Sequence, residues 1–201
     1  MFILGKNVDQ LVVDDIKRLV ENQIPETKDL DYKREPKLLQ DKDKKEFLYD
    51  LTSMYNTDGG CLLYGVEEKK DEKGQNTGIP EKIVGITIDN IDKLFQQIED
   101  ILKGNTDPSI SNVGLKHLMV DGKDILAIGI RKGFGLPSMV TFNETNKFYR
   151  RRNSGKYAVD VYELNRMFMQ NQILKEAAEK FRQERIEKVR SLKAFPVYPS
   201  V

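Results

Sequence analysis

The sequence predicts an α+β fold, a mixed β-sheet with helices packed on it, followed by a long C-terminal helix. Three observations predict it. Helical and strand patterns alternate in the first half, whereas strand patterns in the second half are joined by tight turns and pair locally. One stretch, Asn56 to Glu68 (NTDGGCLLYGVEE), passes abruptly from an amphipathic segment through a glycine turn into a short apolar run and two carboxylates. An apolar stripe then recurs at helical spacing from Asp160 to Val189.

The glycine stretch organises the rest. Asn56, Thr57 and Asp58 are turn formers, and Gly59-Gly60 permits positive φ. The run Cys61 to Val66 is too short for a buried helix and reads as a central strand, with Glu67 and Glu68 at its exit. Strand ends are where α/β sheets place ligands.

Taken in order, residues 7–21 read as a helix: Asn7 caps it, Gln10 reaches back, and Val8, Leu11, Val12, Ile16, Leu19 and Val20 form one apolar face. Leu30 to Lys33 is a short strand, and Pro36 to Lys45 a charged, mobile loop. A helix over Glu46 to Tyr55 buries Phe47, Leu48, Leu51, Met54 and Tyr55. Lys69 to Pro80 is polar and reads as a loop; Ile83 to Ile86 is a strand. Asp89 caps a helix that buries Ile91, Leu94, Phe95, Ile98, Ile101 and Leu102 and ends at Gly104. Val113–Val120 and Ile125–Ile130 are strands joined by Asp121-Gly122, a hairpin signal. Met139–Phe142 and Phe148–Arg152 form a second hairpin. The last helix starts at Asp160, and Pro196 and Pro199 end it. The organisation is an N-terminal helix (1–20), a central domain (21–165) and a helical extension (166–201).

Composition excludes several functions. Thirty-three Lys and Arg oppose 32 Asp and Glu, a net charge of +1, so a phosphate-bearing partner must be held by a local basic patch. The single cysteine, Cys61, rules out a disulfide framework or a cysteine zinc site within one chain. No apolar run reaches membrane-spanning length and the N-terminus lacks a signal-peptide pattern, so the expected setting is soluble, reducing and cytoplasmic. In that setting the Asn143-Glu144-Thr145 triplet is a turn and not a glycosylation acceptor. His117, the only histidine, sits in a strand with no Ser or Cys partner visible, which argues against a catalytic triad. There is no Walker-type phosphate loop, and Gly133-Phe134-Gly135 is not a dinucleotide fingerprint; if ATP binds, it does so without those loops.

Four pieces of the chain occur in a distinctive order: an acid-x4-acid-aromatic-Lys start at Glu26 and Asp31-Tyr32-Lys33, the NTDGG–strand–GVEE core, a strand hairpin, and FYRRRNSGK at 148–156. Together they resemble the Schlafen AlbA-type domain over roughly residues 21–165. The resemblance implies a nucleic-acid-handling module. Members of that family include divalent-metal-dependent endoribonucleases that cut tRNA and rRNA with three carboxylates; others are described as ATP-binding or DNA-binding transcriptional regulators. Carried onto this chain, the three acids are Glu26, Asp31, and Glu67 or Glu68. Two positions depart from the pattern: Asp31 stands where a glutamate is usual, and a glutamate stands where the nucleases have aspartate.

Three converging carboxylates repel one another unless a cation neutralises them, and hard oxygen ligands suit Mg²⁺ or Mn²⁺. That is the physical case for Glu26, Asp31 and Glu67 as metal ligands, with Glu68 the alternative third acid. The competing reading is that all are solvated acids paired with Lys33, Arg34 or Lys69. Strand alternation puts Lys33 on the face of Asp31, where it serves either a phosphate or a salt bridge to Asp31. Arg150, Arg151, Arg152 and Lys156, with the flexible Asn153-Ser154-Gly155 between them, make the best phosphate-binding patch in the chain; the competing reading is a charged edge strand. Tyr32, Tyr64 and Tyr149 are offered as base-stacking residues or as core, and Cys61 as core. The expected activity is a divalent-metal-dependent endoribonuclease on structured, tRNA-like RNA, with a non-catalytic DNA- or RNA-binding module as the alternative. A homodimer through the C-terminal helix is expected, because one lobe supplies only half of the two-lobed groove that the resemblance implies.

Overall fold

The amphipathic face of Val8, Leu11, Ile16 and Leu19 needs an apolar surface to cover, and a sheet supplies it. The computed structural model describes residues 5–133, 135–153 and 155–192. They fall into two units, one ending at Val159 and one beginning at Asp160.

In the first unit a 3-10 turn, Val8–Gln10, precedes α1 (Val13–Glu21). Then follow β1 (Leu30–Lys33), α2 (Asp41–Tyr55), β2 (Gly59–Tyr64), β3 (Val66–Lys70), β4 (Asn76–Ile83) and α3 (Ile91–Asn105). The unit continues with β5 (Thr106–Asp107), β6 (Val113–Val120), β7 (Lys123–Arg131), β8 (Met139–Val140), a 3-10 turn at Phe142–Glu144, β9 (Lys147–Arg152) and β10 (Gly155–Ala158). The central sheet has the order β1-β2-β7-β6 and is mixed: β1 runs parallel to β2, and the other pairs are antiparallel. A second, antiparallel sheet has the order β10-β9-β8-β5, and β3-β4 is a separate hairpin.

The central sheet is covered on both faces, which is why Cys61-Leu62-Leu63-Tyr64 is an unbroken apolar run. Leu62, Tyr64, Leu126 and Ile128 meet Leu48, Leu51 and Met54 of α2 and Ile98 and Leu102 of α3. On the opposite face Tyr32, Cys61, Leu63 and Ile125 meet Ile16 and Leu19 of α1. Cys61 and the tyrosines Tyr32 and Tyr64 are therefore core residues.

Several boundaries differ from expectation. The charged segment ahead of Glu46 is helical from Asp41, because Asp41 and Asp43 complement the helix N-terminus and a solvated turn needs no apolar periodicity. Residues 69–80 are not a loop: β3 and β4 pair across a short turn, with register shifts at Glu67/Glu68 and Glu68/Lys70. Of the expected strand Ile83–Ile86, only an isolated bridge from Ile86 to Asp124 lies beyond β4. Gly59 and Gly60 belong to β2 itself. Gly59 has φ +85°, and a Cβ there would stand 2.7 Å from the Ile130 carbonyl oxygen, while Gly60 lies against Met54. The α3 cap is Asn90, whose side chain accepts from the Lys93 N–H at 2.9 Å; Asp89 is not the cap, and Gly104 lies inside the helix. Near the N-terminus Gln10 Oε1 does accept from the Asn7 N–H, at 3.1 Å, but α1 begins only at Val13. Of the segment 153–155 expected to be flexible, Gly155 opens β10, and Ser154 lies outside the described residues, as does Phe134.

The second unit is α4 (Val161–Leu192). Asp160 caps it, its Oδ1 accepting from the Glu163 N–H at 2.7 Å. The unit boundary precedes this helix, so α4 is continuous across residue 165. Along α4, Ile173, Leu174, Phe181, Ile186 and Val189 are exposed, and the Arg185 guanidinium lies over the Phe181 ring. Lys193, Pro196 and Pro199 lie outside the described residues. Among the described residues no helix is long and apolar enough to cross a membrane.

Candidate functional site

The site begins with the alternation of β1. Leu30 and Tyr32 point into the α1 side of the core, so Asp31 and Lys33 point to the α2 side. There the Lys33 Nζ stands 2.7 Å from Asp31 Oδ2. Parallel pairing sets Asp31 beside Leu62 of β2, and the aspartate is only 4% exposed. A carboxylate so deep requires partners.

Glu26 supplies one. It lies on the connection before β1, where its own N–H donates to the Gly78 carbonyl at 2.7 Å and its Oε1 accepts from the Tyr32 N–H at 2.6 Å. The Asp31 carboxyl lies within hydrogen-bonding reach of its own. Burial, this hydrogen bond and the charges of Asp31 and Glu68 push the Glu26 carboxyl from the ordinary 4.5 up to about 8, against the Tyr32 N–H. Burial also opposes the charge on Asp31, but Lys33, the Glu26 hydrogen bond and Arg151 outweigh it and hold Asp31 below the ordinary carboxylate value. The two carboxyls are thus pushed in opposite directions, Glu26 up and Asp31 down.

The β3–β4 hairpin decides between the two exit acids, because adjacent strand residues point to opposite faces. Glu68 turns toward Glu26: its Oε2 accepts from the Gly78 N–H at 2.8 Å and its Oε1 from Asn76 Nδ2 at 2.9 Å, and Gly78 is the residue against which Glu26 packs. Glu67 instead binds Arg34 at 2.6 Å and Lys82 at 2.9 Å, and those cations hold its carboxyl low. The structure thus brings Glu26, Asp31, Lys33 and Glu68 together and directs Glu67 to its own ion pairs. Among the described residues, no group of three or more His, Cys, Asp or Glu converges closely enough to hold a metal by itself.

The basic strand is divided by the same alternation. Tyr149 and Arg151 face inward, Tyr149 stacking on Tyr49 at 4.0 Å between centroids. The Arg151 N–H donates to Thr57 Oγ1, its Nη2 lies 3.1 Å from Asp31 Oδ1, and its Nη1 lies 3.7 Å from Asp50 Oδ1. Its Nε and Nη1 have no hydrogen-bond partner among the described residues. Lys156 Nζ is held 2.8 Å from Asp50 Oδ1 and 2.7 Å from Glu46 Oε2. Arg151 and Lys156 are thus drawn into an ionic network below the surface, whereas Arg152 is exposed and lies 4.2 Å over the Tyr157 ring. Arg150 is half-buried on the Arg152 side of the strand.

Asn56 and Thr57 explain how the second sheet is fixed here. Asn56 Nδ2 donates to the carbonyls of Ser138 and Tyr149, and its Oδ1 accepts from the Ser138 N–H. Asp58 pairs with Lys28 and Lys132. His117 pairs with Asp124 at 2.7 Å. Sequence reasoning missed Asp50. Its signal was present: an acid at helical spacing from Phe47 and Met54, on the apolar face of its helix.

Comparison with known proteins gives the following. Residues 26–160 match the family described as Schlafen, AlbA_2. No curated protein matches. Among solved structures, the N-terminal domain of a protein related to the ATP-dependent DNA helicase RecG, from Nitrosomonas europaea, superposes with a TM-score of 0.51 at 19% identity, over 71% of this chain and 89% of that one. A Corynebacterium diphtheriae protein matches with a TM-score of 0.42 at 22% identity, over 66% of this chain; the chain spans only 22% of that protein's length.

Proposed function

The chain belongs to the Schlafen, AlbA_2 family, and on that premise we propose that it binds nucleic acid and cleaves structured, tRNA-like RNA with the help of Mg²⁺ or Mn²⁺. The observation that carries this reading is the Glu26–Asp31 carboxyl pair with Glu68 beside it and Lys33 at its edge. Two neighbouring carboxyl groups favour a proton or a cation between them, which is the direction in which Glu26 is pushed. Mg²⁺ commonly uses one or two carboxylates and completes its shell with water and substrate phosphate. In such a shell Glu26 and Asp31 would hold the ion and Glu68 would accept from its waters, with the ion taking the place that Lys33 and Arg151 now hold on Asp31. When bound, the ion activates water and offsets charge on the phosphate.

The chain's own groups do the rest. As a ligand Glu26 would be ionised, its proton released to solvent. Lys33, already beside Asp31, donates to the phosphate as negative charge builds there. Arg151 keeps Asp31 oriented from behind. Arg152 at the surface contacts backbone phosphates and positions the substrate without reading its sequence. A homodimer formed through the exposed face of α4 would double the basic surface.

A second reading rests on Asp31. Lys33 and Arg151 already neutralise it, a situation that suits a non-catalytic DNA- or RNA-binding regulatory module. Incubating the purified chain with total tRNA, in Mn²⁺ and in EDTA, separates the two. Cleavage in Mn²⁺ that is lost in Asp31→Asn supports the nuclease. Binding without cleavage in either condition supports the module and overturns the nuclease.

A further inference from the structure

On the α1 side of the central sheet, at its β6 edge, lies a small cleft that the acidic site does not use. Register fixes its face. Leu118 and Val120 of β6 and Ile125 and Ala127 of β7 belong to the α1 side of the core, so Gly114 and Gly129, at even spacing from them, face the same way. These two glycines are direct cross-strand partners. The 3-10 turn Val8–Gln10 lies over them, and the cleft between encloses about 190 Å³. Its floor is therefore bare backbone. One residue beyond the paired Val113 and Ile130, Asn112 and Arg131 stand at its end, and Asn7 and Asp9 line the turn side. The side chains of Asp9, Asn112 and Arg131 make no hydrogen bond or ion pair among the described residues.

Glycine inside a strand commonly marks a bulge or bend, the close approach of another backbone, or the close approach of a ligand. The first is absent at Gly114, because the β6–β7 register runs unbroken from Val113–Ile130 to Val120–Lys123. The second is absent too. A Cβ on Gly114 would stand 3.7 Å from its nearest neighbour, the Gly129 carbonyl oxygen, and 3.8 Å from Asp9 Oδ1 and from Val8 Cβ, which are ordinary contact distances. Nor is its φ positive. The protein has room for a side chain there, and what glycine leaves instead is a flat floor.

We propose that this cleft binds a nucleotide, its base flat on the Gly114–Gly129 floor and its phosphate at Arg131. At about 190 Å³ the cleft is smaller than the roughly 300–1,000 Å³ sites that enclose drug-sized ligands, so it takes a single base. Asn7 and Asn112 offer amides, which pair with base edges, and Asp9 accepts from an exocyclic amino group. The Arg131 guanidinium matches a phosphate with two parallel hydrogen bonds. The ligand class is a nucleotide whose base carries an amino group, either free or as an unpaired unit of a strand. The acidic site lies on the α2 side of the sheet, so this cleft does not rest on the nuclease reading.

The test titrates the full ¹⁵N-labelled chain with AMP, adenosine, UMP and single-stranded oligoadenylate and oligouridylate. AMP or oligoadenylate should move the amide signals of Asp9, Gly114 and Gly129 saturably. Movement by AMP shows that a free nucleotide suffices, movement by oligoadenylate alone makes the strand the source, and either supports the site. The uracil ligands offer Asp9 no amino group and should bind at least about tenfold more weakly. Gly114→Val fills the floor and should abolish the shifts. Arg131→Gln should weaken AMP or oligoadenylate roughly tenfold while leaving adenosine unchanged, and it decides the case should Gly114→Val fail to fold. Signals unmoved by both adenine ligands, equal affinity for adenine and uracil ligands, or undiminished binding in a folded Gly114→Val would overturn the proposal.

Discussion

Glu26 and Asp31 stand carboxyl beside carboxyl, and their environments push them apart: burial and Asp31 raise Glu26, whereas Lys33 and Arg151 hold Asp31 low. The folded chain thus holds a proton that an unfolded chain releases near the ordinary 4.5, and keeps it to about 8. Between those values the folded state binds more protons than the unfolded state, so stability falls as pH rises. Asp31, held low, acts in the opposite sense but only at more acid pH. In EDTA, urea denaturation from pH 5 to 8 should show a stability decline of at most about 1.4 kcal/mol per pH unit. Glu26→Gln should flatten that slope and exceed wild type at pH 8. A wild-type slope unchanged by the substitution would place the proton elsewhere.

Arg151 and Arg152 are neighbours with opposite fates. Arg151→Ala leaves Asp31 and Asp50 buried without their guanidinium and should cost about 3–5 kcal/mol. Arg152→Ala removes an exposed cation and should change stability by no more than about 0.5 kcal/mol. It should instead weaken RNA binding for all sequences alike and reduce the dependence of affinity on salt by about one phosphate contact. Denaturation curves and salt titrations on both variants check the pair.

Asn56 satisfies three backbone groups of the β8–β9 region at once. Asn56→Ala orphans them in a buried place and should cost about 3 kcal/mol, seen as a lower urea midpoint with an unchanged slope.

The exposed stripe of α4 is the candidate dimer surface. Light scattering at high concentration should return about twice the single-chain mass of 23.2 kDa. Leu174→Glu together with Phe181→Glu should restore the single mass and weaken RNA binding, with the melting of the first unit unchanged. A single mass for the wild-type chain removes the dimer.

Much of this was legible in the sequence because it depends on local pattern. The β2 strand, the β6–β7 hairpin at Asp121-Gly122, the inward face of α2 and the long final helix each follow from spacing that near neighbours in the chain enforce. The acid-x4-acid-aromatic-Lys motif likewise marked Glu26, Asp31 and Lys33, and these meet. Polar structure was less legible. The first turns of α2 and the β3–β4 hairpin are stabilised at a solvated surface, where no apolar periodicity records them. The choice of Glu68 over Glu67 depended on the register of β3 against β4, with its shifts between those residues, and a one-residue slip reverses which side chain faces the site. The four cations between 150 and 156 read as one patch, yet their fates depend on what lies across from each. Tertiary structure alone brought α2 over β1 and β9, and with it Asp50 to Arg151 and Lys156. A buried charge must find its counter-charge wherever the fold provides one, and here the partners are about a hundred residues apart. Sequence pattern determined the apolar elements and the family resemblance named the acids; packing decided which charges pair below the surface.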